Sequence, residues 1–359
     1  MASRAADVSG FGDLTNVSAE RLQELEILLR SILALPIAKT TYAQIIDGMP
    51  TRTYFSDKYR DSDYYTTIID SDKVKPSDQA MEEYEKMKTT FAPQDLIIDL
   101  KVSQKYQNAP SGTYEHLLRL VQIAAASLNA LAGMIYVSRH RDMELNPPDP
   151  PGGSHRLFHR TDDFYVKFYN TDYRHFQEYP FGLLNVVGYW AETEIFGGVL
   201  LFEHDEIGSG IISAFLHQQH TSRAFQLSKE QLQHFAQLHK ADDTVKDPNA
   251  DDLLPFTKQL DARTELTYRE VGQPPLRIYK NEYDMQPDEL LPAYPSCVVH
   301  YGDKNDPRAV IWEETEAETM KLIEQSERDR ASRRDASSRE KASPSCSKDD
   351  SSSANKKDS

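Results

Sequence analysis

Glu192, Glu194, His217 and His220 have the side-chain types to do chemistry together. Two carboxylates and two imidazoles are a donor set for a divalent metal, or a group of acids and bases for proton transfer. They converge if residues 183–227 run as consecutive strands. Val186, Gly188, Trp190 and Glu192 alternate there with Val187, Tyr189 and Ala191, and Glu192 and Glu194, two apart, share one face of a strand. Running Ile211–His217 antiparallel to the apolar run at 197–202 returns His217 to the Gly198 end, beside the turn that carries both glutamates. Gly198 would leave room for the Trp190 ring to lie across it. The competing reading is structural: the glutamates are turn carboxylates, His217 packs beside Trp190, and His220 is solvated.

Other candidates carry less. His204 lies six or seven residues along the second strand, roughly 20 Å from the glycines at about 3.3 Å per residue, so it cannot join Glu192. Residues 203–206, Glu-His-Asp-Glu, are expected to form a solvated loop. His155 and His159 have a metal-ligand spacing for a helix. No H-E-x-x-H pattern accompanies them, and Arg156 and Arg160 repel a cation, so an exposed basic turn is expected. Residues 242–252 space Asp and Asn like a calcium loop but lack its central Gly and terminal Glu, and Pro248 interrupts them. The chain contains no G-x-G-x-x-G after a strand, no Walker motif, no G-x-S-x-G elbow and no CxxC pair.

The elements that must position these residues follow from patterning. Ser18 caps a helix to Ala34, with Leu22, Leu25, Leu28, Leu29, Ile32 and Leu33 as its apolar stripe, and Pro36 ends it. Residues 40–76 lack a sustained period and are expected to be irregular. A polar helix is expected over 77–88 and a short strand or turn over 96–100. Residues 117–137 are long and apolar enough to span a bilayer, but Arg119, Gln122, Ser127 and Asn129 lie inside them, which favours a helix buried in protein. Residues 146–153, Asn-Pro-Pro-Asp-Pro-Pro-Gly-Gly, punctuate the chain. Beyond them a strand is expected over 162–169, and Ser228 with Gln231 form a capping box that opens a helix. Further strands are expected over 265–270, 276–279, 297–301 and 309–312, followed by a charged helix from 313.

The phrase GYWAE at 188–192, followed by IFGGVLLFE at 195–203, resembles a segment of a widespread group of filamentous-fungal proteins of no known activity. There it reads GYWAE, a short polar turn, then GGVVLFD. The resemblance runs over residues 188–227 and implies a source and a fold element rather than a reaction. At His204 the chain departs from the basic position of that pattern.

The whole reads as an α+β protein. Its parts are a flexible N-terminus (1–17), a mostly helical part (18–145), a linker (146–153), an antiparallel, meander-like sheet or partial barrel with one or two helices (154–323), and a disordered tail (324–359). The 359 residues carry a formal net charge of −16, and the acidic excess lies in the body rather than the tail. That balance disfavours a nucleic-acid or anionic-membrane partner. Cys297 and Cys346 cannot build a disulfide framework, and the N-terminus lacks the apolar run of a signal peptide, so a cytoplasmic or nuclear location is expected. Two functions fit: a non-catalytic interaction or scaffold protein that takes a protein partner or small molecule, and an enzyme of unfamiliar type, metal-dependent or auxiliary to a specialised-metabolite pathway. A deep cavity with converging polar groups would favour the enzyme; a filled sheet beside an exposed apolar groove would favour the binder.

Overall fold

Residues 114–139 are the segment against which the others pack. Thr113 caps them, its hydroxyl accepting from the His116 amide at 3.2 Å, and the helix runs 26 residues (Tyr114–Arg139). It is long and apolar enough to cross a membrane, yet 78% of its apolar window is buried inside the protein. The computed structural model describes residues 8–51, 74–141, 145, 166–170, 172–173, 176–206, 208, 210–219, 221–238, 253–259, 261–267 and 277–281. Its helices are α1 (Ala19–Ala34), α2 (Pro36–Asp47), α3 (Asp78–Thr90), α4 (Leu100–Asn108), α5 (Tyr114–Arg139), α6 (Leu183–Phe196) and α7 (Lys229–Gln237). Its strands are β1 (Phe11–Gly12), β2 (Ile98–Asp99), β3 (Val199–His204), β4 (Ile211–His217), β5 (Arg223–Gln226), β6 (Thr264–Leu266) and β7 (Ile278–Tyr279).

The fold is α+β. Strands β6-β5-β4-β3-β7 form an antiparallel half-barrel, and β1 pairs with β2. Helix α5 packs on α1, α2, α4, α6 and α7 and touches β3 and β4, so it stands between the helical layer and the sheet. Several expected elements are present. Ser18 caps α1, Ser77 caps α3, and Ser228 and Gln231 complete the capping box of α7. The β3–β4 pairing has the expected direction, with Val199 opposite His217 and His204 opposite Ile211.

The largest departure is α6. Residues 183–196 form a helix, not a strand. The cause is burial: 11 of its 14 residues are buried, so no polar face exists to reveal a helical period. Gly188 and the β-branched residues each cost up to about 1 kcal/mol in helix propensity. Burying Val187, Trp190, Ile195 and Phe196 contributes about 1.5–3 kcal/mol apiece, so packing wins. Trp190 does not lie over Gly198; its ring packs on Phe168, 4.7 Å away. The helix ends where Gly197 adopts φ 84°, and Gly198 then brings β3 against β4 so closely that a Cβ there would meet the His217 carbonyl oxygen at 2.5 Å.

Three further expectations are corrected. Residues 40–47 belong to α2, which Pro36 starts with a φ already suited to the helix. Residues 166–170 are not a strand; they run over α6, where Asn170 donates to the Thr193 hydroxyl at 2.8 Å. His204 is not solvated. It ends β3, is buried, and stacks on Tyr279 with ring centroids 4.1 Å apart. The segments at 146–153, 155, 159, 162–165, 242–252 and 282–359, Cys297 and Cys346 included, lie outside the described residues.

Two predictions follow from this packing. Gly198→Ala forces backbone apart rather than a side-chain tip, so it should lower stability by about 1–3 kcal/mol, read as a drop in the urea midpoint. Burial holds the His204 imidazole down at about 4 against an ordinary 6.5, with the Tyr279 backbone opposing weakly. The unfolded chain therefore binds more protons between those values, and stability present above pH 6.5 is lost as pH falls through 4. His204→Phe should remove about 2 kcal/mol of that loss, measured as the difference between wild-type and variant denaturation curves at pH 7 and pH 4.

Candidate functional site

A cleft of about 260 Å³ opens beside α5. One wall is a single stripe of that helix at helical spacing: Ala126, Asn129, Ala130, Gly133, Met134 and Val137. Facing it are Asp95 to Asp99 and Val102, from the segment entering α4. Phe11 closes one side with Phe181, the two rings edge-on at 4.9 Å, and Leu184 and Asn185 add the first turn of α6. Gly133 matters to this wall, since a Cβ there would sit 3.1 Å from Leu184 Cβ. The small residues thus let α5 and α6 approach, and the lining is mostly apolar. Ile97 and Met134 stand at its edge, 49% and 37% exposed.

Lys280 and Asn281 complete the lining, and behind them lies a buried polar network. The Lys280 ammonium donates to Glu192 Oε2 and lies 5.4 Å from the centroid of the Tyr189 ring. Glu192 Oε1 accepts from the Leu200 amide at 2.8 Å. Asn129 reaches the same carboxylate, and it does so across Gly188, where a Cβ would overlap the Asn129 amide. Burial pushes the Glu192 carboxyl up, while Lys280, the Leu200 amide and Asn129 pull it down.

The network continues through aromatic rings. Asn281 donates to the Tyr189 hydroxyl at 3.3 Å, and Tyr189 packs on Tyr173 at 4.9 Å. Tyr173 in turn bonds His217 Nδ1 at 2.8 Å. His217 Nε2 lies 2.8 Å from the Thr221 carbonyl, which can only accept, so Nε2 carries the proton and Nδ1 accepts from Tyr173. Burial holds this imidazole below its ordinary value, with the Thr221 backbone opposing, in keeping with a neutral ring.

The four residues singled out by sequence are therefore placed differently from the strand picture. Glu192 and Glu194 are on a helix, where residues two apart are turned by about 200° and do not face each other. Glu192 is fully buried in its ion pair; Glu194 is half-buried. The His217 side chain is joined to the Glu192 cluster through Tyr173 and Tyr189, and His220 lies outside the described residues. Among the described residues no group of three or more His, Cys, Asp or Glu is placed to hold a metal ion. Lys280 was not foreseen: it is 88 residues from Glu192, in a two-residue strand's wake with no motif around it.

Lys280→Met should leave an uncompensated buried carboxylate and cost about 3–5 kcal/mol of unfolding free energy. Glu192→Gln/Lys280→Met, which keeps an acceptor for the Leu200 amide, should regain most of it in the same urea titration. Equal losses in the single and double variants would show that the cost of Lys280→Met does not come from an uncompensated carboxylate. No family model, curated protein or solved structure matches the chain.

Proposed function

We propose that this chain is a non-catalytic binding protein of the cytoplasm, and that the cleft beside α5 receives the apolar part of what it binds. One observation carries the reading: an open, mostly apolar groove whose buried cation, Lys280, is already neutralised by Glu192. A general acid or base needs a lone pair or proton within reach of substrate. Both Glu192 oxygens are occupied and the group is fully buried; both His217 nitrogens are bonded to protein. The sheet beside the groove is filled by Leu200, Phe202, Phe215 and Leu216, all without exposure. Groove open and sheet filled is the combination expected of a binder. The resemblance of residues 188–203 to filamentous-fungal proteins bears on source and leaves this reading unchanged.

N-Phenyl-1-naphthylamine, a neutral apolar dye, tests the reading by its fluorescence. It should bind the wild type saturably at one site. An Ile97→Lys/Met134→Lys variant, altered at two exposed edge positions, should keep its melting temperature and lose at least tenfold in dye affinity. Absence of saturable binding, or equal binding by the variant, would overturn it.

A further inference from the structure

We propose that the cleft is built for an uncharged small amphipathic molecule, with an apolar body along α5 and a hydroxyl or carbonyl oxygen accepting from Lys280. This rests on the binding reading above and names the ligand's chemistry. Lys280 is the reason. Lys280 is 6% exposed, and its ammonium, which carries three donors, makes one hydrogen bond among the described residues, to Glu192. A second interaction is with the face of Tyr189, which accepts no conventional hydrogen bond. A buried donor without an acceptor costs about 1–3 kcal/mol, and the cleft is the side from which one can arrive.

Charge balance selects the head group. Lys280 and Glu192 sum to zero, so a ligand carboxylate would leave one buried negative charge in excess and face the Glu192 carboxylate across the ammonium. Asp95 and Asp99 on the opposite wall add to that repulsion. An ammonium head group is repelled from the inner end by Lys280 itself. A neutral oxygen acceptor meets neither objection. Size selects the rest: at about 260 Å³ the cleft falls just below the roughly 300 Å³ at which pockets for drug-sized ligands begin. A short chain or two to three aromatic rings fit that space, and the stripe from Ala126 to Val137 gives them an apolar bed.

Octan-1-ol, octanoate and octylammonium share a tail and differ in charge, so they separate these cases. Titrated into the full chain with Met134 and Ile97 methyl resonances as reporters, octan-1-ol should shift both saturably, and the two ions should bind at least tenfold more weakly. In Glu192→Gln/Lys280→Met the alcohol should weaken severalfold and its advantage over octanoate should fall below threefold. Octanoate or octylammonium binding as tightly as the alcohol would overturn the proposed head group while leaving the apolar cleft intact. No shift with any of the three would overturn both. Shifts of the same methyls on simple dilution, without ligand, would assign the groove to a second copy of the chain and overturn the small-molecule proposal.

Discussion

The carboxylate of Glu192 is shared by four parts of the fold. It belongs to α6, takes the ammonium of Lys280 just past β7, accepts the amide of Leu200 in β3, and is approached by Asn129 of α5. An ionised group with no exposure is tolerable only when its charge and lone pairs are answered, and here each answer comes from a different element. The arrangement is thus a test of assembly: α6 cannot be buried unless β3, β7 and α5 are in register around it. Gly188 is part of the same condition, because a larger residue there would displace the Asn129 amide. Apolar packing supplies most of the energy at this crossing.

A second polar cluster plays the same part among the other helices. Arg21 and Glu24 of α1, Tyr106 of α4 and His116 of α5 bond one another at the far side of the helical layer. Burial raises the Glu24 carboxyl, but bonds from His116, Tyr106 and Arg21 outweigh it and hold the group at about 2. That cluster ties three helices and lies outside the lining of the cleft beside α5. The Glu192 cluster differs in that one of its members, Lys280, also lines an opening. Position rather than composition distinguishes the structural network from the one beside a binding site.

What could be seen in the sequence divides along a physical line. Amphipathic elements with caps were legible: α1 from Ser18 and its leucine stripe, α7 from Ser228 and Gln231, and α5 as a buried helix from its polar interruptions. The direction of β4 on β3 was legible too, because the glycine pair fixes one end of the hairpin. Helix α6 was not. Its apolar residues occur on every face, and at fourteen residues its length was the signal that a strand of four to eight would not carry. The strand assignment then placed Glu192 and Glu194 on one face, which a helix does not. Lys280 was illegible for another reason: an ion pair spanning 88 residues leaves no local pattern.

The same network leaves its members little freedom to exchange partners. A residue that works on a substrate must give up or gain a partner during the reaction, so it sits where a partner can change. Both Glu192 oxygens and both His217 nitrogens are bonded to protein, and changing one would break contacts among α6, β3 and β4. Lys280 combines burial in that network with a place in the lining of the cleft. A site with one fixed, neutralised donor at the end of an apolar bed can orient a molecule and hold it. The rigidity that makes the network a good anchor for the fold is what suits it to recognition.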